Sequence, residues 1–211
     1  MQIFKPFCFI PKKRIEKEAT EILQRMAKTP NYQLKFPLDT SRVAEFLGLD
    51  VVWDSIPDDE KGMIAARILP LEKLIEINEM IPELRGGFGE STIAHEVGHW
   101  VLHINQSMVE KYSKLPGKKK KTLNVEPLLC RNELNLSGIE WQAQYFASCL
   151  LMPQFKLKEV CQGRNLKQWR ELYHIASELG VTISNLVHRL KDVGWIELTE
   201  NSREIEIKSL S

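Results

Sequence analysis

No run of apolar residues in this 211-residue chain approaches the ~18 that cross a bilayer as a helix, so no membrane role is expected. The four cysteines, Cys8, Cys130, Cys149 and Cys161, form no Cys-x-x-Cys pair, which argues against a disulfide scaffold and against a cysteine zinc site. An excess of charge is missing too. Lys and Arg number 29 and Asp and Glu 28, for a net +1, so the whole chain has no electrostatic drive toward nucleic acid. The apolar stretch from Ile3 to Ile10 is short, a charged cluster follows it, and it lacks a small-residue cleavage pattern. No secretory signal is therefore expected, and the thiols read as reduced residues of a cytoplasmic protein. What is present, 43% hydrophobic and 27% charged residues, excludes disorder and fits one folded domain with or without a small appendage.

Histidine is scarce, at five in the chain, yet His95-Glu96-Val97-Gly98-His99 holds two of them in a His-Glu-x-x-His run. Chance would produce such a run only about 0.01 times in a chain of this composition. Residues four apart on a helix lie about 40° apart around its axis, so His95 and His99 leave one face and can close on a single ion. Glu96 then reaches a water held there and can act as its general base. Ile93, Val97, Trp100, Val101 and Ile104, with Phe88 before them, give the segment a helical apolar pattern. Ser91 or Thr92 is expected to cap it after the Arg85 to Gly89 turn. The alternative, a core helix whose histidines only make hydrogen bonds, leaves Glu96 without a purpose.

Two imidazoles leave a catalytic zinc short of a ligand. One solution places Gly three and His six residues after the second motif histidine, but Leu102 and Asn105 stand there. The other takes a Glu from a later helix, and Ile139 to Pro153 offers Glu140. Small Ala143 and Ala147 on one face of that helix would let it approach the metal helix closely, while Phe146, Leu150 and Leu151 enter the core. Gln144, one turn on from Glu140, is placed to orient a ligand. Glu110, Glu126 and Glu133 also lie within reach along the chain, and Glu140 could instead be a solvated acid at a helix start. His103 has rotated by about 80° from His95 and is expected in the core or in support of the ligands. Tyr112, Tyr145 and His174 are candidate donors to an oxyanion.

These two blocks, Ile93 to His103 and Glu140-Trp141-Gln142-Ala143-Gln144-Tyr145-Phe146-Ala147 through Leu150-Leu151-Met152-Pro153, resemble the ImmA/IrrE-type metallopeptidases. In that family the second block reads Glu-x-x-Ala-Asn-x-Phe-Ala and ends in Leu-Leu-Met-Pro. Gln144 departs from it, standing where Asn is usual, which keeps the amide but lengthens its reach. The resemblance covers roughly residues 40 to 190 and is strongest at the two blocks. It implies a gluzincin-like core, one Zn2+ per chain held by His95, His99 and Glu140, Glu96 as catalytic base, and a substrate that is a helix-turn-helix repressor.

Around these blocks, helical spacing of Ile15, Ala19, Ile22, Leu23 and Met26 predicts an amphipathic helix over 12–28. Asp39 or Thr40 should cap a second helix running through Phe46 to a stop at Gly48. Three strands are expected at Val51 to Trp53, Met63 to Leu69 and Leu74 to Asn78. The last is a candidate edge strand for pairing with extended substrate. Lys118 to Lys121 reads as a solvated surface loop, or else as a docking patch for an acidic partner. After Pro153, a helix ending at Gly180, a helix capped by Thr182, and two alternating segments, Trp195 to Thr199 and Glu204 to Lys208, resemble a winged helix-turn-helix. Nine basic against eight acidic residues from Gln154 onward favour packing or protein docking over DNA binding, for which His188, Arg189 and Lys191 are the only obvious contacts.

The expected fold is α+β: a gluzincin-like metallopeptidase core over 1–153 and a winged-helix-like part over 154–211. The expected function is zinc-dependent cleavage of a regulatory protein. The alternative is a DNA- or protein-binding regulator in which the metal-site fold is mainly structural.

Overall fold

The computed structural model describes residues 3–85, 87–114, 127–130, 138–198 and 204–208. The fold is α+β. Its helices among these residues are α1 (Lys12–Ala27), α2 (Thr40–Phe46), α3 (Gly87–Leu102), α4 (Gln106–Ser113), α5 (Ile139–Leu151), α6 (Gln154–Cys161), α7 (Trp169–Leu179) and α8 (Ile183–Asp192). Strands β1 (Asp50–Asp54), β2 (Ala66–Leu69), β3 (Leu74–Asn78) and β4 (Leu128–Cys130) form a mixed sheet in the order β1-β3-β2-β4. Strands β5 (Ile196–Leu198) and β6 (Ile205–Ile207) make a separate antiparallel hairpin. No helix among the described residues is long and apolar enough to cross a membrane.

Apolar spacing determines how the first elements pack. Ile15, Ala19, Ile22, Leu23 and Met26 are the buried residues of α1, the stripe that the 3.6-residue period requires, and that helix packs on α5. The Asp39 carboxylate accepts from the Arg42 amide at 3.1 Å and starts α2, and Gly48, at φ 77°, ends its turn. Within the sheet, β1 runs parallel to β3, while β2 is antiparallel to both β3 and β4. Buried Asn78 fastens the long β1–β2 connection to β3: its Nδ2 donates to the carbonyls of Ile56 at 3.1 Å and Ile64 at 2.8 Å.

Three expectations require correction here. Strand β3 is hydrogen-bonded on both sides, by β1 and β2, so it has no free edge for substrate; the outer strands are β1 and β4. The strand expected over Met63 to Leu69 begins only at Ala66, with the chain before it tied back through Asn78. Helix α3 starts at Gly87, so Ser91 and Thr92 are interior, and Thr92 Oγ1 donates to the Phe88 carbonyl at 2.9 Å instead of capping. Glycines 87 and 89 are there for proximity. A Cβ on Gly87 would lie 2.5 Å from the Gly180 carbonyl oxygen, and one on Gly89 2.1 Å from that of Leu84. The lysine run 118–121, Glu126, Glu133 and residues 199–203 lie outside the described residues.

The packing of α3 against α5 is the most extensive between any two elements. Its tightest point is Gly98, where an added Cβ would stand 3.0 Å from the Ala143 carbonyl oxygen, 3.1 Å from Ala143 Cα and 3.2 Å from the Phe146 ring. A mid-helix glycine costs ~1 kcal/mol relative to alanine, and here it allows two backbones to touch. Helix α8 joins the same assembly through fully buried Arg189, whose Nε donates to the Met152 carbonyl at 3.0 Å and whose Nη2 pairs with Glu16 on α1. Gly98→Val should lower the unfolding free energy by about 2–3 kcal/mol through overpacking against backbone that cannot yield. Denaturant unfolding tests this, and unchanged stability would contradict the close approach.

Candidate metal centre

Helix α3 carries His95 and His99 one turn apart, and the contact at Gly98 brings the first turn of α5 over them. The result is a three-atom cluster. His95 Nε2 lies 3.0 Å from Glu140 Oε2, His99 Nε2 3.3 Å from the same oxygen, and the two Nε2 atoms are 3.0 Å apart. Donors 2.0–2.1 Å from a tetrahedral ion stand ~3.3 Å from one another, so the donor set fits one divalent cation. His95 and His99 are 3% and 2% exposed, whereas the Glu140 side chain is 27% exposed, leaving one side of the cluster accessible.

Glu96 is fully buried, and among the described residues neither of its carboxylate oxygens has a hydrogen-bond partner. An ionised carboxylate in that position is costly unless a cation or a bound molecule faces it. This orphaned pair of oxygens is the second sign that the cluster is built around a positive charge.

Polar partners stand on the far side of both imidazoles. His95 Nδ1 is 3.3 Å from Gln144 Oε1, so the amide expected to orient a ligand lies against His95. His99 Nδ1 is 3.0 Å from His103 Nδ1, and His103 Nε2 is 2.9 Å from Gln142 Oε1. His103 is therefore neither a ligand nor a bystander. Gln142 passed unremarked in the sequence, where its only signal was an amide two residues after Glu140. The amino-terminal arm completes the surround: Lys5 N donates to the His103 carbonyl at 2.8 Å, and the Phe9 ring stacks on Trp141.

Electrostatics in the metal-free protein follow from burial and crowding. Burial disfavours a charged His95, but the Glu140 hydrogen bond and the neighbouring carboxylates outweigh it and raise its pKa. Burial lowers that of His99, and it lowers His103 to about 4, keeping that ring neutral. Burial would raise Glu140, yet its close contacts with the His95 and His99 rings hold it far below the usual carboxylate range. Burial pushes Glu96 up to about 8, partly offset by His95 and reinforced by Glu140.

Other candidates fall away from the cluster. Glu110 is exposed on α4 and is not among the converging donors. Tyr145 faces the opposite side of α5, with its ring under Arg189 and stacked on Trp141, so it cannot serve as the oxyanion donor expected of it. His174 is exposed on α7 and Tyr112 half-buried on α4; neither figures in the described contacts of the four site residues.

No family model and no curated protein matches the chain. Among solved structures, a Mycobacterium tuberculosis transcriptional regulator superposes with a TM-score of 0.47 at 15% identity, covering 93% of this chain and 54% of that one. The chain thus spans about half the length of that regulator.

A pH dependence follows for the metal-free protein. Glu96, at about 8 when folded against 4.5 ordinarily, retains a proton that the unfolded chain releases, so its burial removes stability as pH rises from 4.5 to 8. Gln stays neutral. Melts of chelator-treated protein should therefore show Glu96→Gln gaining on wild type steadily between pH 4.5 and pH 8; a gap that does not vary with pH would contradict the buried carboxylate.

Proposed function

We propose that the chain is a zinc-dependent endopeptidase with a gluzincin-like core, similar to the ImmA/IrrE-type enzymes, that acts in the cytoplasm on a regulatory protein, namely a helix-turn-helix repressor. The observation that carries the reading is the orphaned Glu96 carboxylate beside the converged His95, His99 and Glu140. A structural zinc site is closed by four protein ligands and needs no base; here three donors converge with a carboxylate to spare.

His95 Nε2, His99 Nε2 and Glu140 Oε2 would hold the ion. When bound, zinc supplies Lewis acidity, making a water acidic near neutral pH and polarising a substrate carbonyl. Glu96 takes a proton from the attacking water as its oxygen bonds to the acyl carbon. The same carboxyl then delivers that proton to the amide nitrogen as the C–N bond breaks, and the proton left on the new carboxylic acid passes to the amine or to solvent, giving a carboxylate and an ammonium or amine product. The more exposed Glu140 leaves the side from which a peptide can enter.

The alternative of a DNA-binding regulator is weakened at the helix that would read bases. Of its three candidate contacts, Arg189 is fully buried against Glu16 and the Met152 carbonyl and cannot reach a phosphate or a base edge. The test is a zinc-loaded digest of a proteome-derived peptide library and of helix-turn-helix proteins, with new amino termini mapped by mass spectrometry. Wild type should cleave, and Glu96→Gln should keep its metal and lose cleavage by about 10²–10⁴-fold, the range for removing a general base. Equal activity in Glu96→Gln, or no cleavage by metal-loaded wild type, would refute the proposal.

A further inference from the structure

Beyond the ligands lies a chain of hydrogen bonds whose polarity can be read from one end. Gln142 Nε2 is 3.0 Å from the Cys8 carbonyl oxygen. A backbone carbonyl only accepts, so the amide nitrogen must face it and Oε1 must face inward. That oxygen, 2.9 Å from His103 Nε2, also only accepts, so His103 carries its proton on Nε2. His103 Nδ1 is then a bare lone pair, 3.0 Å from His99 Nδ1, and must receive that atom's proton. The Nε2 of His99, the atom turned toward Glu140 and His95, is left unprotonated.

We infer that His103 and Gln142 are positioning residues that lock the His99 tautomer, with its proton on Nδ1 and its Nε2 lone pair directed at the metal, and that the Cys8 carbonyl sets the direction of the relay. The inference rests on reading His95, His99 and Glu140 as metal ligands but not on the hydrolytic reaction. The three side chains of the relay are buried, His99 and His103 at 2% and 6% exposed and Gln142 at 1%, and only the Cys8 end, a partly buried bond to an exposed residue, lies near solvent. The geometry also accounts for two features the catalytic reading leaves idle. One is a third histidine at four-residue spacing. The other is the fastening of the arm before α1 to the end of α3, where Asn105 N donates to the Ile3 carbonyl at 2.8 Å, which holds the Cys8 carbonyl within reach of α5. A ligand freed to adopt either tautomer spends part of its time with a proton where the metal should bind, and loss of such an outer partner typically costs 10–100-fold in metal affinity.

The test uses the full chain and zinc alone. Long-range proton–nitrogen spectra of the metal-free protein should show His99 protonated on Nδ1 and bare on Nε2. Zinc competition against a fluorescent chelator should show about 10–100-fold weaker binding in His103→Leu and at least about 10-fold weaker in Gln142→Leu. His103→Asn, which restores an acceptor beside His99 Nδ1, should recover binding to within about threefold of wild type. Mixed tautomers of His99 in Gln142→Leu would support the relay over a packing role. Protonation of wild-type His99 on Nε2 overturns the inference whatever the variants do. So do unchanged tautomers and affinities in the two Leu variants when wild type binds one zinc. Wild type that binds no zinc overturns the ligand assignment first and the relay with it.

Discussion

The contact between α3 and α5 at Gly98 and Ala143 is the constraint on which the candidate site depends. His95 and His99 need only one helix to converge, but Glu140 reaches them only because a residue without a side chain lets the second helix lie backbone against backbone. The surrounding architecture holds that crossing in place. The sheet supports α3 through β2 and β3, α1 lies along α5, and the amino-terminal arm ties the end of α3 to the start of α5. Arg189 adds a clasp from α8 to α1 and to the last turn of α5, a buried pair of the kind that is costly to break.

Without a cation the cluster is electrostatically unbalanced. Two carboxylates and two imidazoles crowd together where one turn of α3 meets the first turn of α5. The result is opposed shifts: Glu140 is held ionised, His95 is favoured as a cation, and Glu96 is forced toward its neutral form. Groups pushed apart in this way by their surroundings occur at sites of acid–base chemistry and also in structural ion-pair networks. One divalent ion would relieve the crowding at a stroke, since it binds the lone pairs that otherwise face each other and gives Glu96 a charged neighbour. The relay through His103 and Gln142 extends the same logic outward, because ligand atoms are useful only if their protons sit elsewhere.

Periodicity made the site's first half legible. The four-residue spacing of His95 and His99, the small face of Ala143 and Ala147, and the amide at Gln144 could all be read because each depends on the pitch of a single helix. The apolar stripe of α1 and the caps at Asp39 and Thr182 were legible for the same reason. What escaped depends on contacts distant in the chain. Gly87 and Gly89 read as a turn but sit in α3, because their missing side chains admit Gly180 and Leu84. Strand β3 read as an edge because no local pattern announces that β1 pairs with it in parallel on one side while β2 pairs antiparallel on the other. Arg189 read as a surface base, since nothing near it in sequence foretells Glu16. Tyr145 faces away by a rotation of about 140° from Glu140, which helical geometry alone supplies and which the search for an oxyanion donor overlooked.

The central claim is that Gly98 permits, and Glu140 completes, a site for one metal ion. Its most direct test is the metal content, by elemental analysis, of protein purified without added metal, with Glu140→Ala alongside. The account predicts one zinc per chain in wild type and loss of that zinc in a folded Glu140→Ala. Folded wild type that stays empty after zinc is supplied, or a Glu140→Ala variant that retains a full equivalent, would contradict it.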